Sequence, residues 1–406
     1  MSESVVIAGG GLAGATAACV LARAGRQVLV LERETGPVDK ICGEFLSIEA
    51  QDILTGLGLD LMALGAQPID KVRLVHGRAV VEAPLPFPAL GLSRKTLDEA
   101  LLRQASASGA QIARGTAISE VCDGATITLR RPYMPDIETR TLFLATGKHD
   151  VRGERRRVTK TPEDLVGFKA YFRLAPQEHS ALQGYVEVMM SSDGYAGLQL
   201  VDGGRANLCL LVQRDRLSRA GGSWSKLLAG LCSDQPHLAR RLAGAESLSE
   251  KPLTIFRVPY GFIHKPVPTD SPGLYRLGDQ MGVIPSFTGD GMSIALYSAQ
   301  FAATCYLAGV SGDAYHAQMR RLIIPQIAWA TIMYRLMSSA LGQGLIMMLA
   351  RCWPGVLGLA ATLTRLTPAV QRPGIMPDGE SRNLIRQSAP IRDNFTLKEN
   401  THHEHV

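Results

Sequence analysis

None of the seven cysteines of this 406-residue chain falls in a CxxC pair or at zinc-ligand spacing. That sets aside structural zinc sites, and the odd, widely spaced set (Cys19, Cys42, Cys122, Cys209, Cys232, Cys305, Cys352) fits a reducing cytoplasm better than a disulfide framework. Apolar runs of spanning length are missing too. In the most hydrophobic region, Leu322 to Leu363, Arg335 and Arg351 interrupt the pattern and Arg365 follows it, leaving stretches short of the roughly 20 residues a membrane-crossing helix needs. The chain opens Met1-Ser2-Glu3-Ser4 and enters an apolar strand at once, so no export leader is expected. Basic runs are scarce despite a net charge of +6. The densest group, Arg152, Arg155, Arg156 and Arg157 around Glu154, reads as a solvated loop, with a phosphate-bearing ligand or an anionic membrane surface as alternatives; nucleic acid is not implied. No internal repeat is visible. What is present is an ordinary globular composition, 46% hydrophobic and 20% charged, on a chain longer than one core usually organises, so two domains are expected.

The strongest local signal lies in the first thirty-odd residues. Val5-Val6-Ile7-Ala8 reads as a buried strand, Gly9-Gly10-Gly11-Leu12-Ala13-Gly14 as a turn, and the Ala-rich stretch to about Ala24 as a helix. A second apolar run, Val28 to Leu31, ends in Glu32, followed by Arg33. Each part has a physical task. Gly9 makes a tight turn, Gly11 lets backbone N–H groups approach a pyrophosphate, Gly14 lets helix and strand pack closely, and Glu32 accepts hydrogen bonds from ribose hydroxyls. The pattern predicts a dinucleotide site that includes Ala13 and Arg33, without separating FAD from NAD.

Later segments separate them. Gly273 to Gln280 reads as a short strand delivering Asp279, and Pro285, Gly289 and Gly291 precede a helix through Ala295 and Ala299. This resembles the second FAD motif of the flavoprotein monooxygenase and geranylgeranyl reductase superfamily, where the Asp bonds the ribityl chain and the helix start faces the flavin. An uncapped helix start also suits the anionic edge of a reduced flavin. Asp39-Lys40-Ile41-Cys42-Gly43-Glu44 is similar to the Lys-x-Cys-Gly segment of the geranylgeranyl reductase family, and Leu92-Ser93-Arg94 to the family's helix start whose Arg approaches the FAD phosphates. Gly194 to Gly197 and Asp202 to Asn207 are similar to its substrate-domain hairpin. The resemblance implies a p-hydroxybenzoate-hydroxylase-like fold with non-covalent FAD, bound by Gly9, Gly11, Ala13, Gly14, Glu32, Arg33, Lys40, Gly43, Arg94, Gly147, Asp279, Gly289 and Gly291. It also implies either reduction of an isoprenoid-type double bond or hydroxylation.

Two family features are absent. Where monooxygenases of the superfamily carry Ala-Asp-Gly, this chain has Ala145-Thr146-Gly147, which weakens the expectation of rapid NADPH-driven hydroxylation and leaves another electron donor open. The Trp-x-Trp-x-Ile-Pro segment of tryptophan halogenases is also absent, the tryptophans being Trp224, Trp329 and Trp353.

The expected class is α/β: an FAD-binding Rossmann-like domain of the glutathione-reductase type, residues 1–160 plus 270–315, with an inserted antiparallel β-rich substrate domain, residues 161–269. The strands Phe168 to Phe172, Tyr185 to Met189, Leu198 to Val201 and Asn207 to Val212 would wall a hydrophobic pocket suited to an isoprenoid, acyl or polyketide molecule. An apolar helical region, residues 316–370, would cap that pocket, lie on a membrane surface or form a dimer contact, so the protein is expected in the cytoplasm or at a membrane face. A polar tail, residues 371–406, ends in His402-His403-Glu404-His405, read as a frayed terminus and not as a metal site. For a reductase a proton must reach the substrate carbon, and Cys42 is the candidate donor, a packed thiol being the alternative. Lys40 and Glu44 would orient its segment. Asp290 is the second candidate catalytic group, as a neighbour of the anionic flavin edge or a simple helix cap. A monooxygenase would need chiefly a dry pocket, and a flavin-binding protein without turnover is the third reading.

Overall fold

Four consecutive apolar residues buried on both faces make Val5–Ala8 the centre of a parallel sheet. The structure, a computed structural model, describes residues 4–124, 126–156, 165–266 and 271–365. Val28–Leu31 and Leu142–Leu144 flank the central strand, and Gln111–Ala113 and Leu274–Arg276 form the edges, all five parallel. Helix Leu12–Arg23 packs against helix Gly291–Leu307. The approach is close because the helices bury small side chains, among them Ala15, Ala18, Ala299 and Ala302. Parallel strands place their carboxyl ends on one side, and there the chain leaves Ala8, Leu31, Leu144 and Arg276 for the turns that shape the site.

A nine-stranded sheet lies beyond this layer. Leu165–Arg173, Gly184–Ser191, Gly194–Val201 and Arg205–Gln213 are its middle, with the turn at Asp202–Gly204 joining the last two as the sequence suggests. Two features differ from expectation. Phe45–Leu46, Gln67–His76 and Ala79–Gly91 belong to this sheet although they lie within residues 1–160, so the division expected at residue 160 does not separate the two sheets. Gly184–Ser191 pairs with Gln67–His76 in parallel, so the sheet is not wholly antiparallel. The physical reason is economy of edges: the long hairpin 67–91 covers an open edge of the inserted sheet. The described residues form one packed unit.

Alternation organises the sheet's two faces. Phe168, Ala170, Phe172, Leu198, Leu200, Leu208 and Leu210 go into one hydrophobic core. Lys169, Tyr171, Gln199, Asn207 and Cys209 fall on the opposite face, in register as Lys169 beside Cys209 and Tyr171 beside Asn207. Three helices follow the parallel sheet: Gly312–Met337, Ala340–Cys352 and Gly355–Leu363. The first two meet at a bend of 104°, and among the described residues no single helix is long and apolar enough to cross a membrane. Arg157 and the tail 371–406 with its histidines lie outside the described residues.

Candidate active site

The glycines of the first turn are required by space. Gly9 has φ +105°, and a Cβ there would meet the Ala145 carbonyl oxygen at 2.4 Å; a Cβ on Gly14 would meet the Gly9 oxygen at 1.8 Å. Gly11 precedes helix Leu12–Arg23, whose start has no side-chain cap, so its first N–H groups are open to a ligand. A Cβ on Gly11 would lie 3.4 Å from the Lys40 ammonium and 3.6 Å from the Arg94 guanidinium. Asp98 holds both cations, with Arg94 at 2.6 and 2.8 Å and Lys40 at 2.9 Å. Burial works against the Asp98 charge, but Arg94 and Lys40 outweigh it and keep the carboxyl below its usual range. Two cations against one carboxylate, above an open helix start, form a cradle that fits an anionic pyrophosphate. Glu32 is buried beside it, accepting from the backbone N–H groups of Gly10 at 2.6 Å and Glu34 at 2.9 Å. Both bonds aim the carboxylate at the site where ribose hydroxyls would arrive.

From this cradle one cavity of about 830 Å³ runs along the sheet ends into an apolar chamber. Of the residues picked out by sequence, Gly9, Gly11, Ala13, Glu32, Arg33, Lys40 and Arg94 line its first part. Cys42, Gly43, Gly147, Asp279, Gly289 and Gly291 line its middle. A Cβ on Gly43 or Gly291 would meet nothing within 4 Å, so a flat ring system could lie against both. Gly289, at φ +77°, is needed for another reason: a Cβ there would sit 2.5 Å from Phe45 Cδ1. Gly14 and Asp290 do not line the cavity.

The segment from Lys40 to Glu44 is clamped by side chains that sequence reasoning did not single out. Asn207 Nδ2 donates to the carbonyls of Cys42 and Gly43 at 3.1 and 3.0 Å, Gln199 Nε2 to that of Glu44 at 2.8 Å, and Lys148 Nζ to that of Ile41 at 2.9 Å. Glu44 adopts φ 63°, a left-handed conformation costly for a residue with a Cβ. Its fully buried carboxylate accepts from the Arg94 N–H at 2.7 Å, the Tyr171 hydroxyl at 2.8 Å, and the Lys169 ammonium, which also donates to the Lys40 carbonyl at 2.9 Å. Burial pushes the Glu44 carboxyl up, and Lys169 pulls it back. Lys169, Tyr171, Gln199 and Asn207 are polar interruptions of apolar strands at a period of two, and that was the signal available in the sequence. Cys42 itself accepts a bond from the Glu44 N–H at 3.4 Å and is among the residues that line the cavity.

Similarity to known proteins agrees with this geometry. An FAD binding domain family model matches residues 2–131. Menaquinone reductase of Mycobacterium tuberculosis is 30% identical over 208 residues, and the alignment spans 48% of this chain and about half (50%) of that relative's length. Protein FixC of Escherichia coli is 25% identical over 78% of this chain and 80% of its own. Among solved structures, the flavin-dependent brominase Bmp2 superposes with a TM-score of 0.72 over 90% of this chain and 93% of its own, at 18% identity, a likeness of fold. The first third of the chain thus matches an FAD binding domain, and the likeness to the solved brominase is one of fold. The narrower geranylgeranyl reductase resemblance is not among these matches.

Two sequence-based expectations change in the structure. Asp290 is not a helix cap: its carboxylate makes no cap bond and instead meets the buried Arg365 guanidinium, off the cavity wall. Burial, against the pull of Arg365, raises its pKa to about 7. Arg365, stacked 4.2 Å from the Phe87 ring centre, is the member of this pair that reaches the cavity. Arg156 is not solvated, since its side chain is 4% exposed and spans Asp150 at 2.7 Å, the Lys148 carbonyl at 2.7 Å and the Asp279 carbonyl at 3.4 Å. Glu154 pairs with buried Arg276. Thr146, in place of the family's acid, bonds the His149 carbonyl at 2.8 Å and closes that loop on itself.

Proposed function

We propose that this protein is an FAD-dependent reductase that saturates a carbon–carbon double bond in the isoprenoid-type chain of a hydrophobic molecule taken up from a membrane surface. The observation that carries this reading is a cavity that joins a pyrophosphate cradle at Gly11, Lys40 and Arg94 to an apolar chamber lined by Leu74, Val188, Met190, Met333, Met337 and Leu357. A cofactor with a long anionic spine would lie at one end and a long apolar chain at the other. The menaquinone reductase relative acts, by its name, on a molecule of the class such a chamber suits.

Bound FAD would supply the electron pair, reloaded by NADPH or another donor. The protein's own part is to orient and to manage the proton. Cys42 lines the cavity on a segment fixed by Asn207, Gln199, Lys148 and Lys169, and its thiol would give the proton to the alkene carbon that does not receive the electron pair. Apolar walls exclude water, which keeps that transfer from being short-circuited by solvent.

The three C-terminal helices support uptake from a bilayer. Their inner faces supply Met333, Met337, Ile346 and Leu357 to the chamber, while Trp329, Ile332, Leu345, Met348 and Trp353 are exposed on the outside and Leu341 keeps 90% of its surface. Exposed Arg321, Arg335 and Arg351 border the patch and complement anionic headgroups. The test is isotopic: reduced holoenzyme given a prenylated naphthoquinone under labelled oxygen should yield product free of label. Incorporated label would replace this reading with oxygen insertion.

A further inference from the structure

Three hydroxyl groups converge in the otherwise apolar part of the cavity. Tyr195 comes from strand Gly194–Val201, Tyr260 from the turn after Val258, and Ser286 from the short turn that leads to Gly289 and the start of helix Gly291–Leu307. The Tyr195 and Tyr260 oxygens are 3.2 Å apart, and both bond the Ser286 oxygen. All three residues line the cavity, and both tyrosines are buried. Around them stand Val258, Val283, Ile284 and Phe287, with Phe287 edge-on to Tyr195 at 6.2 Å and Tyr334 edge-on to Tyr260 at 5.6 Å.

A chamber meant only for hydrocarbon has no use for such a cluster, because phenylalanines and an alanine would pack there without polar atoms to satisfy. Three O–H donors for three mutual contacts form a closed ring in which every oxygen keeps an acceptor site. Opening one contact turns an O–H outward as a donor without leaving the other two groups unpaired. Burial holds the Tyr195 phenol well above its usual range and pushes Tyr260 up to about 12, so both remain donors through neutral pH.

We propose that Tyr195, Tyr260 and Ser286 form a subsite that holds an oxygen-bearing aromatic or quinone ring by its carbonyl or hydroxyl oxygen, with Phe287 packing on the ring. The subsite deepens the reductase reading, on which it rests for the rest of the molecule: the ring is anchored here while its apolar chain occupies the remainder of the chamber. Placed on the approach to Gly289 and Gly291, the anchor fixes how far along the chain the site reaches.

The experiment is a binding titration on oxidised FAD holoenzyme, read by the change in the flavin absorbance spectrum and needing no turnover. The probes are a naphthoquinone bearing a short prenyl chain and the same prenyl chain as a hydrocarbon without the ring. Y195F, Y260F and S286A are compared with wild type, and a variant is used only if it retains its FAD and melting temperature; three single variants keep the test intact if one fails to fold. Each lost hydroxyl is expected to weaken the quinone probe about 5- to 10-fold, the usual worth of one hydrogen bond, and to leave the hydrocarbon probe unchanged. Equal weakening of both probes means that the hydroxyls only shape the chamber, and overturns the subsite. Unchanged quinone binding in all three variants overturns it as well while the reductase reading stands. Quinone binding that depends on the hydroxyls, together with no reduction of the chain, upholds the subsite and removes the reductase reading. Failure of wild type to bind the quinone probe removes the subsite.

Discussion

Cys42 illustrates what a sequence position can and cannot convey. Its place after Asp39-Lys40-Ile41 identified the segment, but its accessibility depends on a clamp built by Asn207 and Gln199 more than 150 residues away. Because Cys42 lines the cavity and its backbone carries the clamp, Cys42→Ala should leave substrate affinity intact while slowing the reductive step roughly 10²- to 10³-fold, within the range of general acid catalysis. Single-turnover rates of prereduced holoenzyme measure this, and an unchanged rate would make the thiol a packing group. Asp290 shows the opposite case. Its glycine neighbours were legible and its partner Arg365 was not, because an ion pair over 75 residues leaves no local periodicity. Gly289→Ala must place a methyl against Phe45 at a left-handed backbone position. A loss of stability of about 1–3 kcal/mol with weakened FAD retention is expected, measured by thermal melting and by flavin content after gel filtration.

At the level of elements, the strand, glycine turn and helix of the first thirty residues were readable because every part of that unit is local. The nine-stranded sheet was half readable. Its alternating strands after Leu165 announced themselves, while Gln67–His76 and Ala79–Gly91 were absorbed into the wrong domain because pairing partners are chosen by tertiary contact and not by propensity. Lone polar residues on those strands carry strong forces. Glu187 is buried against His237 at 2.9 Å, Arg241 at 2.8 Å, and Arg73. Burial opposes its charge, but His237 and Arg241 prevail and lower its pKa from 4.5 to about 2. A depressed carboxyl contributes stability above its unfolded pKa, and this contribution, about 3 kcal/mol, is lost as pH falls from roughly 4.5 through 2. Glu187→Gln should therefore lower the melting temperature at pH 7 and flatten its fall on acidification. A melting profile parallel to wild type would show that the network carries no such charge.

On the scale of the whole molecule, one cavity links an anionic-cofactor cradle, a clamped cysteine segment and an apolar chamber whose outer helices carry exposed tryptophans. The sequence indicated the cradle and apolar helices that cap the pocket or lie on a membrane, but not which of their residues line the chamber and which stay exposed. Both faces are apolar, so composition cannot distinguish them. If the outer face meets lipid, the holoenzyme should cosediment with vesicles containing anionic lipid, bind less in high salt, and lose most of that binding when Trp329 and Trp353 are replaced by serine. Binding indifferent to those replacements would assign the patch to another partner. The reductase account as a whole meets its sharpest test in an anaerobic single turnover of the reduced holoenzyme with a prenylated naphthoquinone, analysed by mass spectrometry of the product. The account predicts two added hydrogens in the prenyl chain while the flavin returns to its oxidised colour; a chain recovered unchanged from oxidised enzyme would contradict it.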